Sequence, residues 1–132
     1  MTMAGLLSAS PKTVGRGDIA TLIERVFATR NASHKAHWAT ASYAQHMALG
    51  DFYDALPDKI DAIVEAIQGN TGQRVKTDAP EVGALLSQIE AEADWIKAQR
   101  STIAQGVPAI ENMLDDLAGA YLAAAYKLRM LK

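Results

Sequence analysis

Cysteine is absent from the 132 residues. That excludes disulfide frameworks and thiolate chemistry and fits a reducing compartment. Charge of one sign is also scarce. Thirteen Lys and Arg stand against fifteen Asp and Glu, for a net charge of −2. The bulk electrostatics therefore do not recruit nucleic acid. No apolar run approaches the roughly 20 residues of a membrane span. The opening MTMAGLLSASPK lacks a basic segment ahead of its apolar part, so no signal peptide is read there. No stretch alternates with period two over a useful length, which argues against strands. Aromatic residues make up only 6%. What remains is an alanine-rich chain whose composition favours helix. Its length suits one domain with an ordinary core.

Residues 1–17 read as a tail broken by Ser8, Ser10, Pro11, Gly15 and Gly17. Asp18 is a plausible N-cap for a first helix. Ile19, Leu22, Ile23, Val26 and Phe27 recur there at helical spacing, and Arg30, His34 and His37 continue the same stripe. That helix should end near Thr40 or Ala41. Ser42 with Gln45 three residues on is a capping box that starts a second helix. The second helix should run to about Gln68, closed by Gly69 and Asn70, with Pro57 kinking rather than ending it. A polar crossover over 69–80 leads to a third helix over 80–104, with Val82, Leu85, Leu86, Ile89, Trp95, Ile96 and Ile103 as inward candidates. Gly106 ends it. Pro108 suits the first turn of a fourth helix carrying Ile110, Met113, Leu114, Leu117, Tyr121, Leu122, Ala125 and Leu128. Two tight connections and one long crossover fit a four-helix bundle of the ferritin-like kind, so the expected fold is all-α.

The chemistry concentrates between His34 and Glu65. All three histidines, at 34, 37 and 46, precede five carboxylates: Asp51, Asp54, Asp58, Asp61 and Glu65. Imidazole and carboxylate together are the ligand set for iron, zinc or manganese. On a wheel of about 100° per residue the acids lie opposite Leu49, Phe52, Leu56, Ile60, Ile63 and Ile67. If the apolar side faces the core, the acids face outward. A di-iron site inside a bundle would need Glu-x-x-His pairs. The residues three before the histidines are Asn31, His34 and Tyr43, so that arrangement is not encoded. A metal site would then form on the outer surface and be closed by another subunit. The competing reading is a hydrated acidic face with no metal. Like-charge neighbours on it cost only about a few tenths of a kcal/mol per pair.

His37-Trp38, a short turn, His46, and Asp61-x-x-x-Glu65 followed by Gly69 resembles the Dps family of mini-ferritins. The resemblance covers residues 20–70; beyond them it rests on length and pattern. It implies a ferritin-like bundle assembled as a hollow dodecamer, so the expected partner is the chain itself. It also implies Fe(II) oxidation by peroxide or oxygen at a two-fold interface and storage of ferric iron, with zinc or manganese as other ions for the same site. By this resemblance His37 and His46 are nitrogen ligands, and Asp61 and Glu65 the main carboxylates. Trp38 packs beside the site. The family places an Asp four residues after the second histidine, where this chain has Gly50. Asp54 or Asp51 would replace that ligand, and a lost ligand is favoured over a packing reason for the glycine. The connection between the first two helices is also about three residues shorter than in such proteins. The wording SYAQHMALGDFYD…LPDKID also resembles small ferritin-like proteins of tailed phages. The expected location is the cytoplasm of a bacterium or an infected host. Family members often bind DNA through a lysine-rich tail. Here Lys12, Arg16, Lys127, Arg129 and Lys132 offer few phosphate contacts, so DNA binding is not favoured. The alternative is an assembly protein, structural or DNA-associated, that keeps the bundle without turnover.

Overall fold

A computed structural model describes residues 17–131. The predicted tail over 1–17, with its Lys12 and Arg16, lies outside these residues but for Gly17, as does Lys132. Among the described residues the chain is helical throughout, with α1 Ile19–Ala39, α2 Tyr43–Thr71, α3 Val82–Ala104 and α4 Pro108–Met130, and no strand. None of these helices is long and apolar enough to cross a membrane.

The caps follow the local chemistry. The Asp18 carboxylate accepts from the Thr21 N–H at 2.8 Å and starts α1. Ser42 Oγ accepts from the Gln45 N–H at 3.2 Å and starts α2. The return half of the expected capping box is replaced by Thr40. Its hydroxyl oxygen accepts from the Ser42 N–H at 3.1 Å and its hydroxyl donates to Gln45 Oε1 at 2.7 Å. α2 passes through Pro57 without interruption and outruns the predicted stop at Gly69 and Asn70. The stop lies at Gly72, whose φ of 70° suits glycine. Gly72 N–H donates to the Gln68 carbonyl at 2.9 Å, and Val75 N–H to the Gln68 side chain at 2.9 Å. α3 ends through Gln105 at φ 53° and Gly106 at φ 75°, and Pro108 opens α4.

The chain forms two compact units, one through Thr77 and one from Asp78. In the first, α1 packs on α2 around buried Ile23 and Ile60, with Ser33 also buried. Phe52 and Ile63, placed on the predicted inner face of α2, stay 46% and 43% exposed. The second unit pairs α3 with α4 over Ala93, Ile96, Ala104, Ala118 and Ala125. Alanine at such positions lets helix axes approach closely. Only a strip of each helix is covered: the expected inward Trp95 and Ile103 are exposed, as are Met113, Leu117 and Leu122 of the apolar row on α4. Arg100 reinforces this seam. Its Nε and Nη2 donate to the two carboxylate oxygens of Asp115 at 2.7 and 2.9 Å, and its Nη1 donates to Glu111 at 3.2 Å. Arg129 pairs with Glu90.

Candidate functional site

The last turns of α1 and the first turns of α2 meet through histidine. His37 Nδ1 lies 2.6 Å from the His46 carbonyl oxygen, and His46 Nδ1 lies 2.8 Å from the His37 carbonyl oxygen. The two rings stack with centroids 3.6 Å apart and planes 20° apart. A carbonyl oxygen only accepts, so both Nδ1 atoms carry hydrogen. In the neutral rings both Nε2 atoms therefore keep their lone pairs, the form in which histidine binds a metal.

Gly50 leaves room for this approach. A Cβ built on it would stand 3.2 Å from His37 Cε1 and 3.4 Å from His37 Nδ1. The imidazole thus crowds the place where a Cβ at position 50 would stand. This gives the glycine a packing reason inside a single chain.

A second aromatic group continues from the first. The His34 ring stacks on Tyr53 at 3.9 Å and 18°, and Trp38 tilts against His34 at 4.5 Å. Tyr53 also meets His37 edge-on at 5.4 Å, and the Arg30 guanidinium lies 5.5 Å from the Tyr53 centroid. Desolvation pushes the His34 pKa below its ordinary value. The charge of Arg30 and the proximity of His37 act in the same direction, and Asp54 opposes them. Tyr53 was not among the residues singled out from the sequence. Its signal was spacing: it follows His46 and Gly50 by seven and three residues, on the same row of a helix.

The carboxylates lie elsewhere. Asp61 and Glu65 are exposed and line an open groove of about 350 Å³ with Ile23, Phe27, Ile60, Val64 and Thr77. Asp51 and Asp54 are exposed on α2. At 1.5 Å per residue, His46 and Asp61 stand about 22 Å apart along α2. Among the described residues no three His, Asp or Glu side chains converge into a group that could hold a metal. The histidine pair is preorganised for donation, but within one chain it does not meet Asp61 and Glu65.

Comparison with known proteins places this hairpin in a wider group. The chain is 32% identical over 98 residues to an uncharacterized 14.6 kDa protein in the mobD-ri intergenic region of Enterobacteria phage T4, covering 74% of this chain and 77% of that protein. No solved structure matches. Residues 37–128 match the family of unknown function DUF5856, a stretch running from His37 through most of α4, and the chain belongs to that family.

Proposed function

We propose that this chain is an iron-binding, Dps-like helical protein that completes its site by self-assembly. In this reading the two hairpins form a ferritin-like four-helix bundle, and copies of the bundle build a shell. His37 and His46 of one copy face Asp61 and Glu65 of another, with Asp54 or Asp51 as an added oxygen donor. Fe(II) is the substrate, oxidised to Fe(III) by peroxide or oxygen. The observation that carries the reading is the pair of Nδ1–H groups held by backbone carbonyls, which fixes both Nε2 lone pairs for donation. Two further features support it. The carboxylates are exposed, as ligands shared with another copy must be. Each hairpin also leaves large apolar side chains uncovered, including Phe27, Phe52 and Trp95. Anaerobic Fe(II) titration followed by addition of peroxide tests the reading by absorbance. Saturable binding that is lost in both His46→Ala and Glu65→Ala is the expected result. Binding that survives Glu65→Ala, or no iron-dependent signal in the wild type, overturns it.

A second reading is favoured by the same geometry. The histidines already have a complete structural role, clasping α1 to α2 and filling the space over Gly50. A structural assembly protein without turnover would need nothing more from them. In that case His46→Ala loosens the hairpin while iron leaves the melting curve of the wild type unchanged.

A further inference from the structure

We propose that the cleft formed on α1 by Arg30, Asn31, His34, Lys35 and Trp38 binds a nucleotide, with its base against Trp38 and its phosphate on Arg30 and Lys35. The proposal does not rest on the iron reading. It uses different atoms, in a cleft that adjoins the histidine clasp.

Three observations converge on it. The first is charge. Among the described residues neither Arg30 nor Lys35 forms an ion pair. Arg30 is nevertheless held in place, by the Tyr53 ring and by a hydrogen bond from Nη1 to Asn31 Oδ1 at 3.2 Å. A positioned guanidinium with spare N–H donors, with a lysine lining the same cleft, suits a phosphate. The second is the aromatic surface. Trp38 is 69% exposed, yet its ring leans on His34, which stacks in turn on Tyr53. An indole supported by its neighbours and still open to solvent is a platform for a flat ring. The third is size and polarity. The cleft holds about 190 Å³, enough for a planar group rather than a second helix. The Asn31 amide borders it and keeps its NH2 donors, since its oxygen already accepts from Arg30.

The His34 imidazole, stacked on Tyr53 and against Trp38, extends the flat surface under the indole. Asp54 acts on His34 electrostatically and would repel an anion there. The phosphate is thereby directed to the Arg30 and Lys35 side. An acidic peptide would use the two cations but not the indole, and an uncharged aromatic would use the indole but not the cations. A base linked to a phosphate uses both.

The chemistry is that of one nucleotide unit, either free or within a single strand. Trp38 supplies its own reporter. In a Trp95→Phe background it is the sole tryptophan. Full-length protein in chelator is titrated with adenosine monophosphate, adenosine, inorganic phosphate, a thymidine hexanucleotide and an acidic hexapeptide, and indole fluorescence is followed. Adenosine monophosphate or the hexanucleotide should quench it saturably, with adenosine and phosphate each at least about tenfold weaker. A hexanucleotide that binds more than about tenfold tighter than the mononucleotide identifies a single strand as the source, and equal affinity identifies the free nucleotide. Lys35→Glu, at an exposed position, should weaken nucleotide binding by about tenfold or more while leaving the helical circular dichroism intact. Absence of saturable quenching by either nucleotide probe overturns the proposal. So does quenching by the acidic peptide alone, or nucleotide binding unchanged by Lys35→Glu.

Discussion

At the scale of single residues, Gly50 stands in tight contact with the His37 ring. Glycine inside a helix ordinarily costs about 0.5–1 kcal/mol relative to alanine, so Gly50→Ala should stabilise if only the helix mattered. The contact with His37 reverses that expectation. The added methyl meets a ring held by its own hydrogen bond and by the stack on His46, so the ring cannot easily move aside. Gly50→Ala should therefore lower the thermal midpoint in the wild type and raise it in a His37→Ala background. A stabilised single variant would show that the ring yields freely. His34 gives a pH dependence of known sign. Its folded pKa lies below its ordinary value, chiefly through desolvation, so the unfolded chain binds that proton more tightly. Stability from this group is complete above the ordinary histidine range and falls as pH drops from there toward the folded value. Urea midpoints between pH 7.5 and pH 5 should decline less steeply in His34→Gln than in the wild type. Equal slopes would count against it.

At the scale of elements, much was legible in the chain and some was not. Asp18, Ser42 and Pro108 each announce a helix start because capping chemistry acts over three residues. The end of α2 was misplaced because Gly69 and Asn70 have the composition of a stop. The side chains of Gln68 and Thr71 and the positive φ at Gly72 set the actual turn. The inner faces are also narrower than the apolar stripes. An apolar stripe records what a helix can bury, whereas the hairpin seam covers only the strip facing its partner. The histidine clasp depends on carbonyl oxygens, which no pattern of side chains reveals. The Arg100 clamp between α3 and α4 carries the next prediction. Its hydrogen bonds hold the Asp115 carboxyl below the usual range, and Asp115 pushes the Arg100 pKa up in return. A depressed carboxylate contributes stability above its unfolded pKa and loses it as pH falls through its folded pKa. Asp115→Asn should flatten the acid end of the stability curve, measured as denaturation midpoint from pH 6 down to pH 2. An unchanged acid limb would place the acid sensitivity elsewhere.

At the scale of the whole molecule, the proposed site demands more than one copy. At micromolar concentration, sedimentation should give a mass well above 14.1 kDa, and His37→Ala should reduce it less than Glu65→Ala if the histidines act mainly within the hairpin. A species of one chain at every concentration would leave Asp61 and Glu65 without the partner they need. The clasp also bears on how fast the chain folds. Its partners are nine residues apart, so closing that loop sacrifices little chain entropy. Contacts this local form early, whereas Ile23 and Ile60 must first be brought together across most of the hairpin. The corner at Thr40 and Ser42 should be the folding nucleus of the first unit. His46→Ala should slow refolding nearly as much as it destabilises, a φ-value near 1, while Ile60→Val should act almost wholly by speeding unfolding. On that prediction the stacked imidazoles set when the hairpin forms as well as how firmly it is held.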